Sequence, residues 1–72
     1  MNDVQRRLLD LVERRSGQRP GLDDPLTALG IDSLEMADFV GSLEKEFRIR
    51  ADADIMDVET ISELAQYIET HS

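Results

Sequence analysis

The sequence of this 72-residue chain predicts an all-α fold: a small bundle of three main helices with one or two short helical turns and a long loop between helices 1 and 2. Apolar residues recur at helical spacing in three segments, and a helix-start signal precedes each segment. Only one short segment alternates as a strand does, and a lone strand would have no partner to pair with. A chain of this length supports one small core, so we expect a single domain over residues 1–72.

The first helix is predicted over Asp3–Ser16. Asn2 can cap its start with Gln5 completing a capping box, and Gly17 can end it in the left-handed conformation. The apolar residues of this segment are spaced so that they share one face: Val4, Leu8, Leu11 and Val12. An amphipathic helix that packs on the rest of the chain follows from this pattern.

Residues 17–31 are predicted to form the long loop, because glycine and proline interrupt the segment repeatedly. Asp24 before Pro25 can begin a single helical turn, from which Leu26 and Leu29 would point inward. Loops of this length are usually functional or disordered unless they have elements of their own. The leucines favour a loop that is packed.

The second main helix is predicted to begin after Asp32, a good capping residue, with Glu35 three positions on as its capping-box-like partner. Gly41 inside this helix should cost about 1 kcal/mol relative to alanine. One apolar stripe follows the cap, made of Met36, Val40, Leu43 and Phe47 and flanked by Ala37 and Phe39. The remaining surface is largely acidic and carries Glu35, Asp38, Glu44 and Glu46.

After Phe47, apolar residues alternate with charges, and we predict a loop that leads into a short turn near Asp54–Val58. The third main helix is predicted to begin at a capping box formed by Thr60 and Glu63. Its apolar face consists of Ile61, Leu64, Ala65 and Ile68.

The charge distribution is uneven along the chain. Residues 1–31 contain five acidic residues and five arginines, whereas residues 32–72 contain eleven acidic residues against three basic ones, so the net charge of -8 lies in the second part. A field of this sign repels nucleic acid and anionic lipid and attracts basic protein surfaces. No apolar run approaches the length of a membrane span and no export leader is evident, so we expect a cytoplasmic protein without nucleic-acid or membrane partners.

Ser33 is the candidate functional residue. With Asp32 as the cap, it falls at the first position of the second helix, where its side chain can face solvent. A phosphodiester attached there would lie beside the free amides and the positive end of the helix dipole. Serine is favoured at helix starts in any case, so the local pattern also fits an ordinary exposed serine.

Two runs extend this pattern, LTALGIDSLEMA over Leu26–Ala37 and LEKEF over Leu43–Phe47. Both closely resemble the acyl carrier protein family, and the resemblance extends over nearly the whole chain, which would make residues 1–72 one acyl-carrier-like domain. It implies that Ser33, flanked by Asp32 and Leu34, carries a covalent 4′-phosphopantetheine, which a separate phosphopantetheinyl transferase adds from coenzyme A. The terminal thiol of this arm would hold acyl intermediates as thioesters and supply a sulfur that the cysteine-free chain lacks.

The same resemblance leads us to expect a discrete, stand-alone and non-catalytic monomer that shuttles cargo between acyl-activating or acyl-transferring enzymes with basic docking patches. Such enzymes would contact the start and outer face of the second helix, namely Asp32, Leu34, Glu35, Met36, Asp38 and Glu44. Family members often shelter the acyl chain between helices, and here the lining would be Val40, Leu43, Phe47, Ile55, Ile61 and Leu64. Without a bound chain, these six residues are plain core.

Departures from the family pattern concern the pathway. Gly41 stands where many fatty-acid carriers have a large apolar contact residue, Lys45 interrupts the acidic row, and Arg48–Asp54 lacks a common Ile-Pro start. These departures favour a specialised, polyketide-like or other secondary-metabolite pathway, with fatty-acid synthesis still open. An aminoacyl or peptidyl carrier is the alternative, although Gly30-Ile31-Asp32-Ser33 is more typical of acyl carriers. An unmodified helical protein-interaction module is the alternative of another class.

Two further classes of function are disfavoured. A serine enzyme would need a base near Ser33, yet His71 is the single histidine and no Gly-x-Ser-x-Gly elbow is present. A calcium loop is suggested by Asp52, Asp54 and Asp57, but the required glycine and bidentate glutamate are missing at the matching positions. We therefore expect neither catalysis by this chain alone nor a dedicated metal site.

Overall fold

The computed structural model describes residues 2–71 and confirms the all-α prediction. Three α-helices, α1 (Asp3–Ser16), α2 (Ser33–Phe47) and α3 (Ile61–His71), alternate with two short 3-10 helices, η1 (Leu26–Leu29) and η2 (Ala53–Asp57). No strand forms within residues 2–71, where the only β-type pairing is an isolated antiparallel bridge between Pro25 and Thr60. The second short helix begins one residue earlier than the predicted turn and ends one residue earlier.

Helix α1 has the predicted bounds because both of its ends are capped. The Asn2 side chain accepts a hydrogen bond from the Gln5 amide (2.8 Å), and the Gln5 side chain accepts one from the Asn2 amide (3.0 Å). Gly17 ends the helix with a φ of 80°, a conformation that favours glycine. The helix packs against α3 and buries Leu8, Leu9 and Val12, of which Leu9 was not assigned to the apolar face.

The long loop between α1 and α2 is packed, as predicted. Leu26 is buried and Leu29 is half-buried. Backbone hydrogen bonds tie the loop to the segment before α3 and to the first turn of α3: the Leu26 amide donates to the Glu59 carbonyl, and the Ser62 amide donates to the Leu22 carbonyl, both at 2.8 Å. The start of α2 is therefore held by the same contacts that hold the start of α3.

The core lies between the three helices and includes residues from the loops. Phe39 is fully buried in α2, although its position flanks the predicted stripe. Ile31 and Ile49, which lie just outside the two ends of α2, are each 6% exposed. The segment after α2 is a loop, as predicted, and it begins at Arg48 with a left-handed φ of 53°. The buried side chains are Leu8, Leu9, Val12, Leu26, Ile31, Met36, Phe39, Leu43, Ile49, Ile55, Ile61, Leu64, Ala65, Tyr67 and Ile68.

Candidate functional site

Ser33 is the first residue of α2, and its side chain is exposed. Asp32 precedes it with an extended backbone and caps the helix through a hydrogen bond from the Glu35 amide to the Asp32 carboxylate (3.0 Å). The return half of a capping box is not formed, because the Glu35 carboxylate bonds to Arg15 instead. The cap leaves Ser33 at the positive end of the helix with its hydroxyl directed away from the core.

The residues before Ser33 explain why it is presented there. Gly30 has a φ of 80°, which lets the chain turn sharply after η1, and its amide donates to the Thr27 carbonyl (3.2 Å). The next amide, that of Ile31, donates to the Leu26 carbonyl (3.1 Å), and the Ile31 side chain is buried. In the Gly-Ile-Asp-Ser run, the glycine turns the chain, the isoleucine anchors it and the aspartate caps the helix.

The surroundings of Ser33 can accept a phosphate. Among residues 2–71, no side chain or backbone group forms a hydrogen bond with the Ser33 hydroxyl, which is therefore available for substitution. The amides of Ser33 and Leu34 lie in the first helical turn, where intrahelical partners are lacking and the dipole is positive. These groups offset part of the repulsion from Asp32.

A cleft of about 390 Å³ opens beside Ser33. One wall comes from the start of α2 and includes Asp32, Ser33 and Met36. The opposite wall comes from η2 and the residues after it, namely Met56, Asp57, Val58 and Glu59, and the loop at η1 closes the floor. Ser33 therefore stands at the rim of a space between α2 and the segment that leads into α3.

On the side of α2 that faces α1, Arg15 binds two acidic residues of the predicted docking face. Its guanidinium lies 3.3 Å from the Glu35 carboxylate, forms a closer ion pair with Asp38, and lies 5.4 Å from the centre of the Phe39 ring. The hydrogen bond to Asp38 is the main cause that raises the pKa of Arg15 above its ordinary value. Arg15 thus neutralises part of the acidic face beside Ser33.

Further along α2, two other acidic residues have internal partners. Glu46 forms an ion pair with Arg7 (3.0 Å) and a longer one with Arg14 (3.8 Å). The half-buried Glu44 accepts a hydrogen bond from the Ala51 amide (3.0 Å) and so holds the loop after α2. The acidic row on α2 is consequently engaged within the chain along much of its length.

The predicted contact residues differ in their accessibility. Asp32, Glu35 and Asp38 are exposed, and Leu34 is 84% exposed. Met36 differs from the expectation of an outer contact, because it is only 4% exposed and lines the cleft. The reason is its position one turn after the cap, on the side of α2 that turns towards the core.

The six residues predicted to line an acyl chain lie in or against the core. Leu43, Ile55, Ile61 and Leu64 are buried, and Val40 and Phe47 are half-buried against them. None of the six contributes to the cleft beside Ser33. Their role as acyl-chain lining therefore stays a prediction that would require the core to open.

Sequence reasoning missed several residues that shape the site. Ile31 and Met56 line the cleft, and Arg15 contacts the acidic face from another helix. The burial of Ile31 could have been inferred from its apolar side chain in the middle of a polar turn. The pairing of Arg15 had no local signal, since its partners lie more than one element away along the chain.

A small cluster of possible metal ligands forms where η2 meets α3. Ligand atoms of Asp52, Asp54 and His71 lie within 4.8 Å of one another. The third member of this cluster is His71, whereas the sequence pattern suggested Asp57. Both carboxylates are exposed, and Asp54 already accepts a hydrogen bond from the Tyr67 hydroxyl (2.8 Å). The His71 ring stacks on Tyr67 with centroids 3.8 Å apart, so this residue is ordered by packing at the end of α3.

Within the described part of the chain, no helix is long and apolar enough to cross a membrane.

Comparison with family models places the chain in a known family. The model of the family described as "Phosphopantetheine attachment site" matches residues 6–68, which includes most of α1, the whole Ser33 site and most of α3. Neither the curated proteins nor the solved structures contain a significant match to the chain.

Proposed function

Since this chain belongs to the family defined by a phosphopantetheine attachment site, we propose that Ser33 is the residue that carries the group. Domains of this family hold 4′-phosphopantetheine covalently and are typically non-catalytic carriers. The observation that carries the assignment is the geometry of Ser33, an exposed and unbonded hydroxyl at the start of a capped helix and at the rim of a cleft.

The residues around Ser33 fit the group. The first-turn amides and the helix dipole suit a phosphodiester, and the cleft of about 390 Å³ leaves room for an arm to lie against Met36 and Val58. In the modification, the Ser33 hydroxyl oxygen forms a new bond to phosphorus, the adenine-nucleotide half of coenzyme A leaves, and the hydroxyl proton passes to the transferase. When bound, the arm supplies a thiol on which cargo is held as a thioester.

We further propose that the protein is a monomeric carrier in the cytoplasm that shuttles acyl intermediates between enzymes. Carriers of this family interact in general with phosphopantetheinyl transferases and with acyl-handling enzymes. The departures at Gly41 and Lys45 support a specialised, polyketide-like or other secondary-metabolite pathway over fatty-acid synthesis. The Gly30–Ser33 run supports acyl cargo over an aminoacyl or peptidyl one.

Partner enzymes with basic patches would contact the start of α2, at Asp32, Leu34, Glu35, Asp38 and Glu44, and reach Met36 through the cleft. Individual exposed ion pairs contribute little affinity, so these acidic residues would chiefly govern encounter rate and orientation. Fast and weak contacts suit a carrier that has to leave each enzyme.

Intact mass tests the attachment. The chain is incubated with coenzyme A and a broad-specificity phosphopantetheinyl transferase, and we expect the parent to gain one phosphopantetheine and Ser33→Ala to gain none. Ser42→Ala, a change at the other serine of α2, is the matched control and should be modified as the parent is. An unmodified parent would contradict the proposal and leave a helical interaction module as the remaining function, and a modified Ser33→Ala would place the arm elsewhere.

A further inference from the structure

Resting on the proposed attachment at Ser33, we propose that partner enzymes dock first on a surface made of three cleft-lining residues, Met56, Asp57 and Glu59, and of Leu34, which does not line the cleft but directly follows the lining residue Ser33. We call these four residues the cleft surface. The partner chemistry that fits it is a pair of neighbouring lysine or arginine side chains beside an apolar contact. The acidic residues on the α1 side of α2 then contribute less to the encounter than their number suggests.

The first step of the argument is the difference in counterions. Asp57 and Glu59 form no ion pair or side-chain hydrogen bond with any residue between 2 and 71, and both are exposed. In contrast, Glu35 and Asp38 share Arg15, so the three groups together retain one negative charge. A partner cation meets two uncompensated carboxylates at the cleft, whereas on the other side it has to compete with Arg15.

The second step is the distribution of exposed apolar side chains. Leu34 and Met56 are the large hydrophobic residues that remain exposed in the described chain, at 84% and 44%. Leu34 directly follows Ser33, and Met56 lies in the opposite wall of the cleft. Exposed apolar side chains beside uncompensated charge are typical of a protein contact, in which the apolar part supplies affinity and the charge supplies orientation.

The third step is the rigidity of the opposite wall of the cleft, which η2 and the residues after it form. Ile55 is 2% exposed and anchors η2 in the core, and the Val58 amide donates to the Ile55 carbonyl (3.4 Å). The Glu59 carbonyl accepts from the Leu26 amide (2.8 Å), which joins this wall to the loop before Ser33. The two acidic residues are therefore presented at a fixed position relative to Ser33, and a partner held there has the serine within its reach.

The test uses the full chain and a broad-specificity phosphopantetheinyl transferase as the partner, and it measures kcat/KM for modification at low ionic strength. Three double variants remove the same charge: Asp57→Asn with Glu59→Gln at the cleft, Glu35→Gln with Asp38→Asn on α2, and Asp10→Asn with Glu13→Gln on α1 as the control. We expect a loss of about five-fold or more for the cleft variant, a smaller loss of about two-fold for the α2 variant, and no more than a marginal change for the α1 control. In about 1 M salt, where charges are screened within about 3 Å, the three variants should converge.

A fourth variant, Met56→Ala, tests the apolar part and should raise KM by about three-fold or more even in high salt. Circular dichroism and melting of each variant show whether it remains folded. A cleft variant that behaves like the α1 control, or an α2 variant that loses more than the cleft variant does, would overturn the proposed surface while leaving the attachment at Ser33 intact. A parent chain that gains no phosphopantetheine would overturn the attachment and, with it, the surface that rests on it.

Discussion

The two sides of Ser33 are both acidic, yet they differ in what their charges contact. On the α1 side, Glu35 and Asp38 bind Arg15, and Glu46 further along α2 binds Arg7. On the cleft side, Asp57 and Glu59 have no such partner among the described residues. A count of acidic residues therefore does not predict which of them can bind another protein.

Because of these ion pairs, the charge counted along the sequence differs from the charge that each surface of the folded chain presents. Residues 1–31 sum to zero in isolation, but three of their arginines, Arg7, Arg14 and Arg15, form ion pairs with acidic residues of α2. The negative field is thereby weakened along α2 and stays strong at η2 and the start of α3. Five predictions test this comparison, from the largest expected effect to the smallest.

The largest effect should come from the anchor of the cleft wall. Ile55→Ala removes a buried side chain from η2 and should lower the free energy of unfolding by about 2–5 kcal/mol, measured by urea denaturation. Ile55→Val, at about 0.5–1.5 kcal/mol, keeps the measurement possible if the alanine variant does not fold. The neighbouring Met56→Ala should stay within about 0.5 kcal/mol of the parent, because that side chain is 44% exposed. Equal losses for Ile55→Ala and Met56→Ala would contradict an anchored wall.

Two glycines should respond in opposite directions. Gly30→Ala forces a Cβ into the left-handed turn before Ser33 and should cost about 1–2 kcal/mol of unfolding free energy. Gly41 lies within α2 with nothing within 4 Å of an added Cβ, so Gly41→Ala should stabilise by about 0.5–1 kcal/mol. Thermal melts of both variants measure these two changes in stability. A destabilised Gly41→Ala would contradict the expectation and would show that the departure from the family pattern at this position has a structural cause.

Removal of the arginine on the α1 side should have a smaller effect on stability. Arg15→Ala loses two ion pairs with exposed carboxylates and a contact with Phe39 and should cost about 1 kcal/mol or less. Arg14→Ala, a matched change at a longer and more exposed pair, should cost less than about 0.5 kcal/mol.

The same Arg15→Ala variant sharpens the comparison functionally. The Arg15→Ala change leaves Glu35 and Asp38 without their internal cation. Neutralising these two residues in the Arg15→Ala variant should therefore slow transferase modification by about two-fold or more beyond the effect of the same neutralisation in the parent. An unchanged response would mean that Arg15 does not compete with the partner.

The smallest effect concerns alkaline pH. Burial raises the pKa of Tyr67 above its ordinary value, and the hydrogen bond to Asp54 adds to the rise while the bond from the Asp52 amide opposes it. The folded chain therefore holds this proton more tightly than the unfolded chain. The resulting stability is fully present below about pH 10 and is lost as pH rises through the folded pKa. Tyr67→Phe should lack this alkaline decrease in urea unfolding curves, and an identical decrease in both proteins would assign it to other groups.

Much of the fold was predictable because its signals are local. The capping box at Asn2, the cap at Asp32 and the one at Thr60 each fix a helix start, and periodic apolar residues fix the buried faces. The position of Ser33 at the start of α2 followed from the same signals. The proposed attachment at Ser33 does not follow from these signals, since an exposed serine at a helix start is common; the family match supports the proposal.

The contacts between elements could not be predicted from the sequence. The pairing of Arg15 with Glu35 and Asp38 depends on how α1 crosses α2 and on side-chain conformation, neither of which is encoded in residue spacing. The cleft is likewise a product of packing, because its walls are separated by more than twenty residues along the chain. Met36 is different, because its place in the predicted apolar stripe of α2 agrees with its burial, and only the family resemblance implied that it is a partner contact.

The surroundings of Tyr67, which stacks on His71, have a consequence for the fluorescence of the protein. The chain contains one tyrosine and no tryptophan, so its intrinsic fluorescence comes from a single ring. That ring is hydrogen-bonded to both Asp52 and Asp54 at the start of η2. Emission from the unlabelled protein therefore reports whether the far wall of the cleft is docked on α3.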